Sequence, residues 1–183
     1  HDELYAASDH DAARALKDPR DSWPKYPGVD QKAPWLCAWD GIDCLASVRS
    51  DIAAAQAAAS ANARTIEAMD RLLAADGTRW GLPPSIDQET PNCACHQRLA
   101  RSTLALDFAM GRQQQAIAGV CRGISGWRRL GSDTDTLSGA SDAASAVRRH
   151  LQLLSEMLGE LSPDAPIPVE CDVALAPSTD AEL

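Results

Sequence analysis

The sequence predicts an all-α fold: an antiparallel bundle of four or five helices with two long loops containing proline and tryptophan, stapled by disulfides. Hydrophobic residues make up 45% of the 183 residues while only 4% are aromatic, a composition that favours closely packed helices over a β-sheet. Apolar residues recur at helical spacing in several long runs. The six cysteines are an even number, as a disulfide framework requires.

Two regions are predicted along the chain. Residues 1–162 form the helical bundle domain, which opens with a segment of helical composition from Asp2 to Lys17. Residues 163–183 form a proline-rich, acidic C-terminal segment, which we interpret as an extended tail and as the start of a region that continues beyond this chain. No lysine or arginine follows Arg149.

The first long loop spans residues 18–43 and leads into the longest predicted helix, from Asp43 to about Ala75. A loop of this length inside a compact domain is usually functional or pinned down. Asp43 is of a residue type preferred at the N-cap, and Gly77 is expected to end the helix. The predicted inner face of the helix consists of Leu45, Val48, Ile52, Ala55, Ala59, Ile66, Met69 and Leu73.

The second long loop covers residues 77–95, and a further helix is predicted to start near His96. Gly111 is expected to break it, and the next helix runs from about Arg112 to Leu130. Three glycines of that helix stand at spacings of four and three, which predicts a close crossing with a neighbouring helix. They are Gly119, Gly123 and Gly126.

The last predicted helix spans Thr136 to Leu161, and Pro163 stops it. On this helix His150 is expected on the polar side, facing solvent beside two arginines. The predicted inner face consists of Leu137, Ala140, Ala144, Val147, Leu151, Leu154, Leu158 and Leu161.

The charge of the chain bounds its partners. The formal net charge is −9, and no basic stripe provides the clustered lysines and arginines that nucleic-acid phosphates require. The same acidity disfavours binding to anionic membranes. Since no run of 18 apolar residues occurs, a membrane is expected to be reached only through an anchor absent from this chain. We therefore expect a protein partner and no nucleic acid.

The cysteines are best explained as structural disulfides. Cys37 and Cys44 flank a turn at Asp40-Gly41, and a bond between them would close a short loop. C-x-C geometry is strained, so the two cysteines of that motif are expected to reach the remaining two, one each, with the pairing left open. These four are Cys93, Cys95, Cys121 and Cys171.

Metal, redox and hydrolytic chemistry have weaker support. Structural zinc sites prefer paired C-x₂₋₄-C ligands, which neither C-x-C nor C-x₆-C provides. Dithiol redox catalysis usually needs C-x-x-C at a helix N-terminus. The motifs G-x-S-x-G and H-E-x-x-H and a phosphate-binding glycine loop are missing from the sequence. We expect no metal, no cofactor and no catalytic residue, and hence a protein that is not an enzyme.

Candidate contacts for a protein partner lie in the stretch "WLCAWDGIDC". Tryptophan is enriched at interface hot spots, and neighbouring acids suit a basic partner. The candidates are Trp35, Trp39, Asp40 and Asp43. The alternative is that the two tryptophans face inward and anchor the loop on the bundle.

Two segments together carry a resemblance. They are "WDGIDCLASVRSDI", residues 39–52, and "GWRRLGSDTDTLSGASDAASAVRRHLQLLSEML", residues 126–158. The pair resembles a group of poorly characterised α-helical proteins of gammaproteobacteria, which carry an N-terminal membrane anchor followed by an envelope-exposed domain. The helix pair around Gly111 also looks like a degenerate tetratricopeptide-type hairpin. The resemblance implies a location in the periplasm or cell envelope.

The expected function is that of a non-enzymatic protein-binding domain in the bacterial envelope. As a class, small, acidic, disulfide-bearing envelope proteins resemble immunity proteins, which neutralise secreted antibacterial toxins. The most specific expectation is therefore an immunity protein whose partner is a toxin or effector. The alternative is an envelope scaffolding or assembly protein that uses helical hairpins to hold a partner.

Overall fold

A computed structural model describes residues 32–38, 40, 42–75, 94–134 and 136–177, with only the backbone described at 94–96. Within these ranges every regular element is a helix, and the prediction of an all-α fold is confirmed. The predicted helix from Asp2 to Lys17, most of the first loop and residues 77–93 lie outside the described residues. The helices are α1 (Cys44–Ser50), α2 (Ile52–Ala61), α3 (Ala63–Leu73), α4 (Ala94–Ala109), α5 (Gln113–Ser132), α6 (Leu137–Gly159) and α7 (Glu170–Ala174).

Helix α5 lies at the centre of the described bundle, where it contacts α3, α4, α6 and α7. Its side chains Ile117, Val120 and Ile124 are almost completely buried. Each apolar side chain of this size contributes about 1.5–3 kcal/mol when it leaves water. A helix enclosed by four others must carry small residues wherever a neighbour comes close, which explains its glycines.

The predicted close crossings at the three glycines of α5 are confirmed. A Cβ atom at position 119 would lie within contact distance of the side chain of Leu104 on α4, and one at position 126 would lie 2.7 Å from the backbone oxygen of Leu73 on α3. Real Cβ atoms do not approach a carbonyl oxygen this closely, so only glycine lets α3 and α5 pack at this distance.

The single long helix predicted from Asp43 to Ala75 is wrong, because the region forms α1, α2 and α3. The first break lies at Asp51, whose backbone leaves the helical region and whose carboxylate accepts a hydrogen bond of 2.9 Å from the N–H of Ala54. Asp51 therefore starts a new helix as its N-cap. The second break lies at Asn62, whose side-chain amide donates to the carbonyl of Ala58.

The break predicted at Gly111 is confirmed. Helix α4 ends at Ala109, helix α5 begins at Gln113, and Gly111 between them has φ +87°. Backbone in this left-handed region costs glycine little and other residues more, so the turn between the two central helices is fixed by the sequence itself.

The predicted inner face of α6 is confirmed in part, since Leu154 is buried and Val147, Leu158 and Leu161 pack against the hydrophobic core. The hydroxyl of Thr136 caps its start by accepting from the N–H of Gly139. Two leucines of the predicted inner face are exposed instead, Leu137 by 89% and Leu151 by 39%. The buried residues are Ala143, Ala146, His150, Leu153, Leu154 and Met157. The predicted set and the buried set both repeat at spacings of three and four residues, and both contain alanines. The spacing alone therefore did not show which set faces the core.

The described part of the C-terminal segment lies against α5. It contains α7, so the interpretation of residues 163–183 as a wholly extended tail is wrong at Glu170–Ala174. Arg128 of α5 donates hydrogen bonds to the carbonyls of Ala174 and Ala176, and Gln114 donates to that of Pro166.

A disulfide between Cys121 and Cys171 joins α5 to α7. The expectation that these two cysteines would each bond one member of the C-x-C motif is therefore wrong. Both sulfur-bearing side chains are almost completely buried, and the bond becomes possible because Cys171 lies on a helix that packs directly on α5. Of the C-x-C motif, Cys93 lies outside the described residues and Cys95 is described by its backbone alone.

Candidate functional site

The first candidate site is the loop of residues 37–44, here called the clasp. A disulfide between Cys37 and Cys44 closes it, the pair that the short loop predicted. Both cysteines are fully buried. The base of the clasp therefore belongs to the core of the bundle, while its tip projects from it.

Three side chains of α4 hold the first half of the clasp. The N–H of Cys37 donates to Oγ of Ser102 at 2.9 Å, and Nε of Arg98 donates to the Cys37 carbonyl at 2.8 Å. Nη2 of Arg101 donates to the carbonyl of Ala38 at 2.7 Å. These bonds satisfy backbone groups that would be costly to bury unpaired.

The second half of the clasp is held from α6. The carboxylate of Glu156 accepts from the N–H of Cys44 at 3.2 Å and from that of Leu45 at 2.8 Å. A carboxylate here pairs two of the unsatisfied donors at the start of α1 and complements its dipole. Asp43 occupies the predicted N-cap position, but it has φ 56° and its side chain makes no capping hydrogen bond.

The structure separates the four predicted partner contacts. Trp35 is only 8% exposed and packs in the main hydrophobic core, so it anchors the loop as the inward-facing alternative expected. Asp40 and Asp43 are exposed, and Trp39 lies outside the described residues. The sequence analysis did not propose Ile42 as a contact, although its side chain is 57% exposed at the clasp tip. Its position next to the predicted turn at Asp40-Gly41 could have indicated this exposure.

Buried cations lie beneath the clasp. Arg101 is only 2% exposed, and its Nε and Nη1 atoms have no hydrogen-bond partner among the described residues. Desolvation lowers the pKa of Arg101 to about 10, with Arg149 and Arg98 adding to the decrease. Even so the guanidinium stays charged at neutral pH and can hold the Ala38 carbonyl.

His150, expected on the solvent-facing side of α6, is buried instead, at 4% exposure. Its Nδ1 lies 2.8 Å from the carbonyl oxygen of Ala146. Because a carbonyl only accepts, Nδ1 carries the proton and Nε2 is left as an acceptor. The pKa of His150 is lowered to about 4, chiefly by burial and with a smaller contribution from the nearby Arg101 and Arg149, while the hydrogen bond to Ala146 opposes the decrease. The imidazole is therefore neutral at neutral pH.

The second candidate site is a cleft of about 740 Å³ between α3, α4, α5 and α7, a volume typical of ligand pockets. The glycines of α5 form part of its lining, and His150 lies across Gly123: a Cβ there would be 2.8 Å from Nε2. The apolar part of the lining includes Ile66, Leu73, Leu104 and Val173, and its charged residues are Asp70, Asp107, Arg122, Arg129 and Glu170.

Comparison of this chain with protein-family models, curated proteins and solved structures finds no match. The interpretation of the clasp and of the cleft therefore depends on their geometry in this structure.

Neither a metal cluster nor a membrane-crossing helix is found in the described part of the chain. No three residues among its His, Cys, Asp and Glu are grouped to hold a metal ion. Of the helices α1 to α7, none is long and apolar enough to cross a bilayer.

Proposed function

We propose that this chain is a non-enzymatic protein-binding domain of the bacterial envelope and, in its most specific form, an immunity protein that neutralises a secreted antibacterial toxin. The observation that carries the proposal is the clasp, whose exposed tip stands on a buried base. Ile42 is exposed at the tip with Asp40 and Asp43 on either side. An apolar side chain between two carboxylates complements a basic surface with an apolar recess.

The attachment of the two ends of the clasp supports this role. The ends are joined by the Cys37–Cys44 bond, and five hydrogen bonds with α4 and α6 hold the backbone of residues 37, 38, 44 and 45. A loop whose ends are fixed before binding has less conformational entropy to lose when it binds.

The disulfides support the proposed location. Two buried disulfides in the described residues are compatible with an oxidising compartment such as the periplasm, since thiols stay reduced in most cytosols. The resemblance of the Trp39–Ile52 and Gly126–Leu158 segments to anchored envelope proteins agrees with this location and with an anchor in the full-length protein.

The test is calorimetric titration of the domain with the secreted toxin encoded beside its gene. We expect Ile42→Ala to weaken binding by about tenfold or more, as a central apolar contact would. The double variant Asp40→Asn/Asp43→Asn should weaken it further at low salt, and asparagine at 43 tolerates the left-handed backbone. The matched control Asp142→Asn/Asp164→Asn changes two exposed carboxylates outside the clasp. Equal affinities for all variants would contradict the role of the clasp, and no binding by the unchanged domain would contradict the immunity function.

A scaffolding function is the second candidate, and an exposed apolar surface favours it. Four large apolar residues of the C-terminal segment are at least half exposed: Ile167, Val169, Val173 and Leu175. Such clusters mark protein contacts more often than isolated exposed residues do. Each variant is expressed in a strain that lacks the gene. If the protein is a scaffold, cells with Val169→Ser/Val173→Ser should be less resistant to detergent than cells with the unchanged protein. If it is an immunity protein, cells with Ile42→Ala should instead be less resistant to the toxin.

A further inference from the structure

The turn between α4 and α5 carries an inference that goes beyond protein binding by the clasp. We propose that Met110 in this turn is an oxidation site, where hydrogen peroxide converts the thioether to a sulfoxide that Gln56 and Arg112 bind as hydrogen-bond donors. Two observations lead to this site. Met110 is far more exposed than the other methionines, and two N–H donors already lie at its sulfur.

Met110 is the most exposed of the three methionines in the chain. Its exposure is 40%, against 7% for Met69 and 0% for Met157. An oxidant must reach the sulfur atom to react with it, so exposure decides which methionine is oxidised first. Met69 and Met157 belong to the hydrophobic core, where a polar sulfoxide would disrupt the packing.

Two side chains donate to the sulfur of Met110. Nε2 of Gln56 on α2 lies 3.1 Å from Sδ, and Nη2 of Arg112 lies 3.6 Å from it. A thioether sulfur is a weak acceptor, so these donors contribute little while the sulfur is reduced. A sulfoxide carries a polar oxygen on the same atom, and that oxygen accepts hydrogen bonds much more strongly.

Arg112 is oriented for this role by a second acceptor. Its Nε and Nη2 donate to Oδ1 of Asp107 at 3.2 and 2.6 Å. Because Nη2 carries two N–H groups, one can remain on Asp107 while the other bonds the new oxygen. The side chains of Gln56 and Arg112 are exposed, so both can move outward by the length of an S–O bond without disturbing the core.

One molecule of hydrogen peroxide is sufficient for the reaction. A lone pair of the sulfur attacks one peroxide oxygen, the O–O bond breaks and an S–O bond forms. The sulfur is oxidised by two electrons and the peroxide is reduced. The departing hydroxide takes the proton from the transferred oxygen and leaves as water. The sulfoxide then joins α2 to the turn between α4 and α5 through stronger hydrogen bonds than the thioether makes.

The first experiment treats the 183-residue protein with hydrogen peroxide and follows each methionine by mass spectrometry of tryptic peptides. The three methionines fall in separate peptides, which are residues 65–71, 102–112 and 150–183. We expect the peptide with Met110 to gain an oxygen atom at least about tenfold faster than the others, because buried methionines react only when the fold opens. Met110→Leu should remove this first oxidation from the intact protein. Equal rates in the three peptides would overturn the proposal.

The second experiment tests the two donors at a peroxide dose that oxidises Met110 alone. Oxidation should shift the side-chain amide resonances of Gln56. It should also lower the midpoint of thermal unfolding by about 2–4 °C more in Gln56→Ala than in the unchanged protein, because the variant lacks one hydrogen bond to the sulfoxide.

The matched control is Ser155→Ala, which changes an exposed polar residue of α6 and should respond to oxidation as the unchanged protein does. Unmoved Gln56 resonances, or the same change of midpoint in Gln56→Ala and in the unchanged protein, would overturn the proposal. These results do not depend on toxin binding, since neither experiment involves the clasp.

Discussion

The two disulfides hold their surroundings in different ways. Cys37–Cys44 spans seven positions, and its loop is also bound by Arg98, Arg101 and Ser102 from α4 and by Glu156 from α6. Cys121–Cys171 spans fifty positions. The C-terminal segment that it attaches is also held by the burial of Cys171 and Ala174 against α5 and by hydrogen bonds from α5, most of them exposed, such as those from Arg128 and Gln114. The clasp is thus held from two helices, whereas α7 contacts α5 alone among the described helices.

Removing the Cys121–Cys171 bond should have the largest effect. Closing a loop of this length stabilises a protein by about 4 kcal/mol in the chain-entropy model, so Cys121→Ala/Cys171→Ala should lower the unfolding free energy by about that amount in urea titration. The amide of Leu175, which donates to Cys171, should also exchange with deuterium much faster. Unchanged exchange at Leu175 would contradict the dependence of this segment on its disulfide.

Acid should weaken the packing between α5 and α6. Both regions depend on it, because α6 holds the clasp and α5 holds the C-terminal segment. The pKa of His150 is about 4 in the fold against about 6.5 unfolded. The unfolded state therefore binds the proton first, and stability present above pH 6.5 is lost as the pH falls towards 4. The loss is about 3 kcal/mol in full. Urea titrations between pH 7 and 4 should show this slope, and His150→Gln should remove it; equal slopes in both proteins would contradict it.

The third change breaks the other disulfide. Cys37→Ala/Cys44→Ala should lower the unfolding free energy by about 2.5 kcal/mol, as expected for a short loop. Amide exchange at position 37 should stay slow at neutral pH, because the backbone N–H there still donates to Ser102. Rapid exchange there would show that the clasp, like the C-terminal segment, depends on its covalent bond.

The smallest effect is expected at the carboxylate that caps α1. Glu156→Gln keeps an acceptor for one N–H but loses the charge and a second acceptor oxygen, so unfolding free energy should fall by about 1 kcal/mol. Thermal unfolding measures the change. The control Glu160→Gln alters an exposed pair with Arg49 and should cost less, since exposed ion pairs contribute little.

Local features of this fold were predictable from the sequence. The helix break at Gly111 could be predicted because glycine alone among the residues adopts a positive φ at little cost. The Cys37–Cys44 bond could be predicted because the two cysteines are close in sequence and flank a turn. The three glycines of α5 marked close crossings for the same reason: the absence of a side chain is visible without knowing the neighbour.

The features that sequence reasoning missed depend on distant neighbours. The burial of His150 depends on Gly123, a residue of another helix. The buried and the exposed apolar residues of α6 follow the same helical spacing, so the pattern did not separate them. The cap of α1 comes from Glu156 rather than from the adjacent Asp43. The cleft was not foreseen at all, because its lining comes from four helices that no motif connects.

The carboxylate that completes α1 also orders events during synthesis. Glu156 follows Cys44 by 112 positions. At roughly 5–20 residues per second, the ribosome delivers that carboxylate about 5–20 seconds after the helix it caps. The first described helix to be made must therefore wait for a residue of α6. Until then the N–H groups of residues 44 and 45 lack this acceptor.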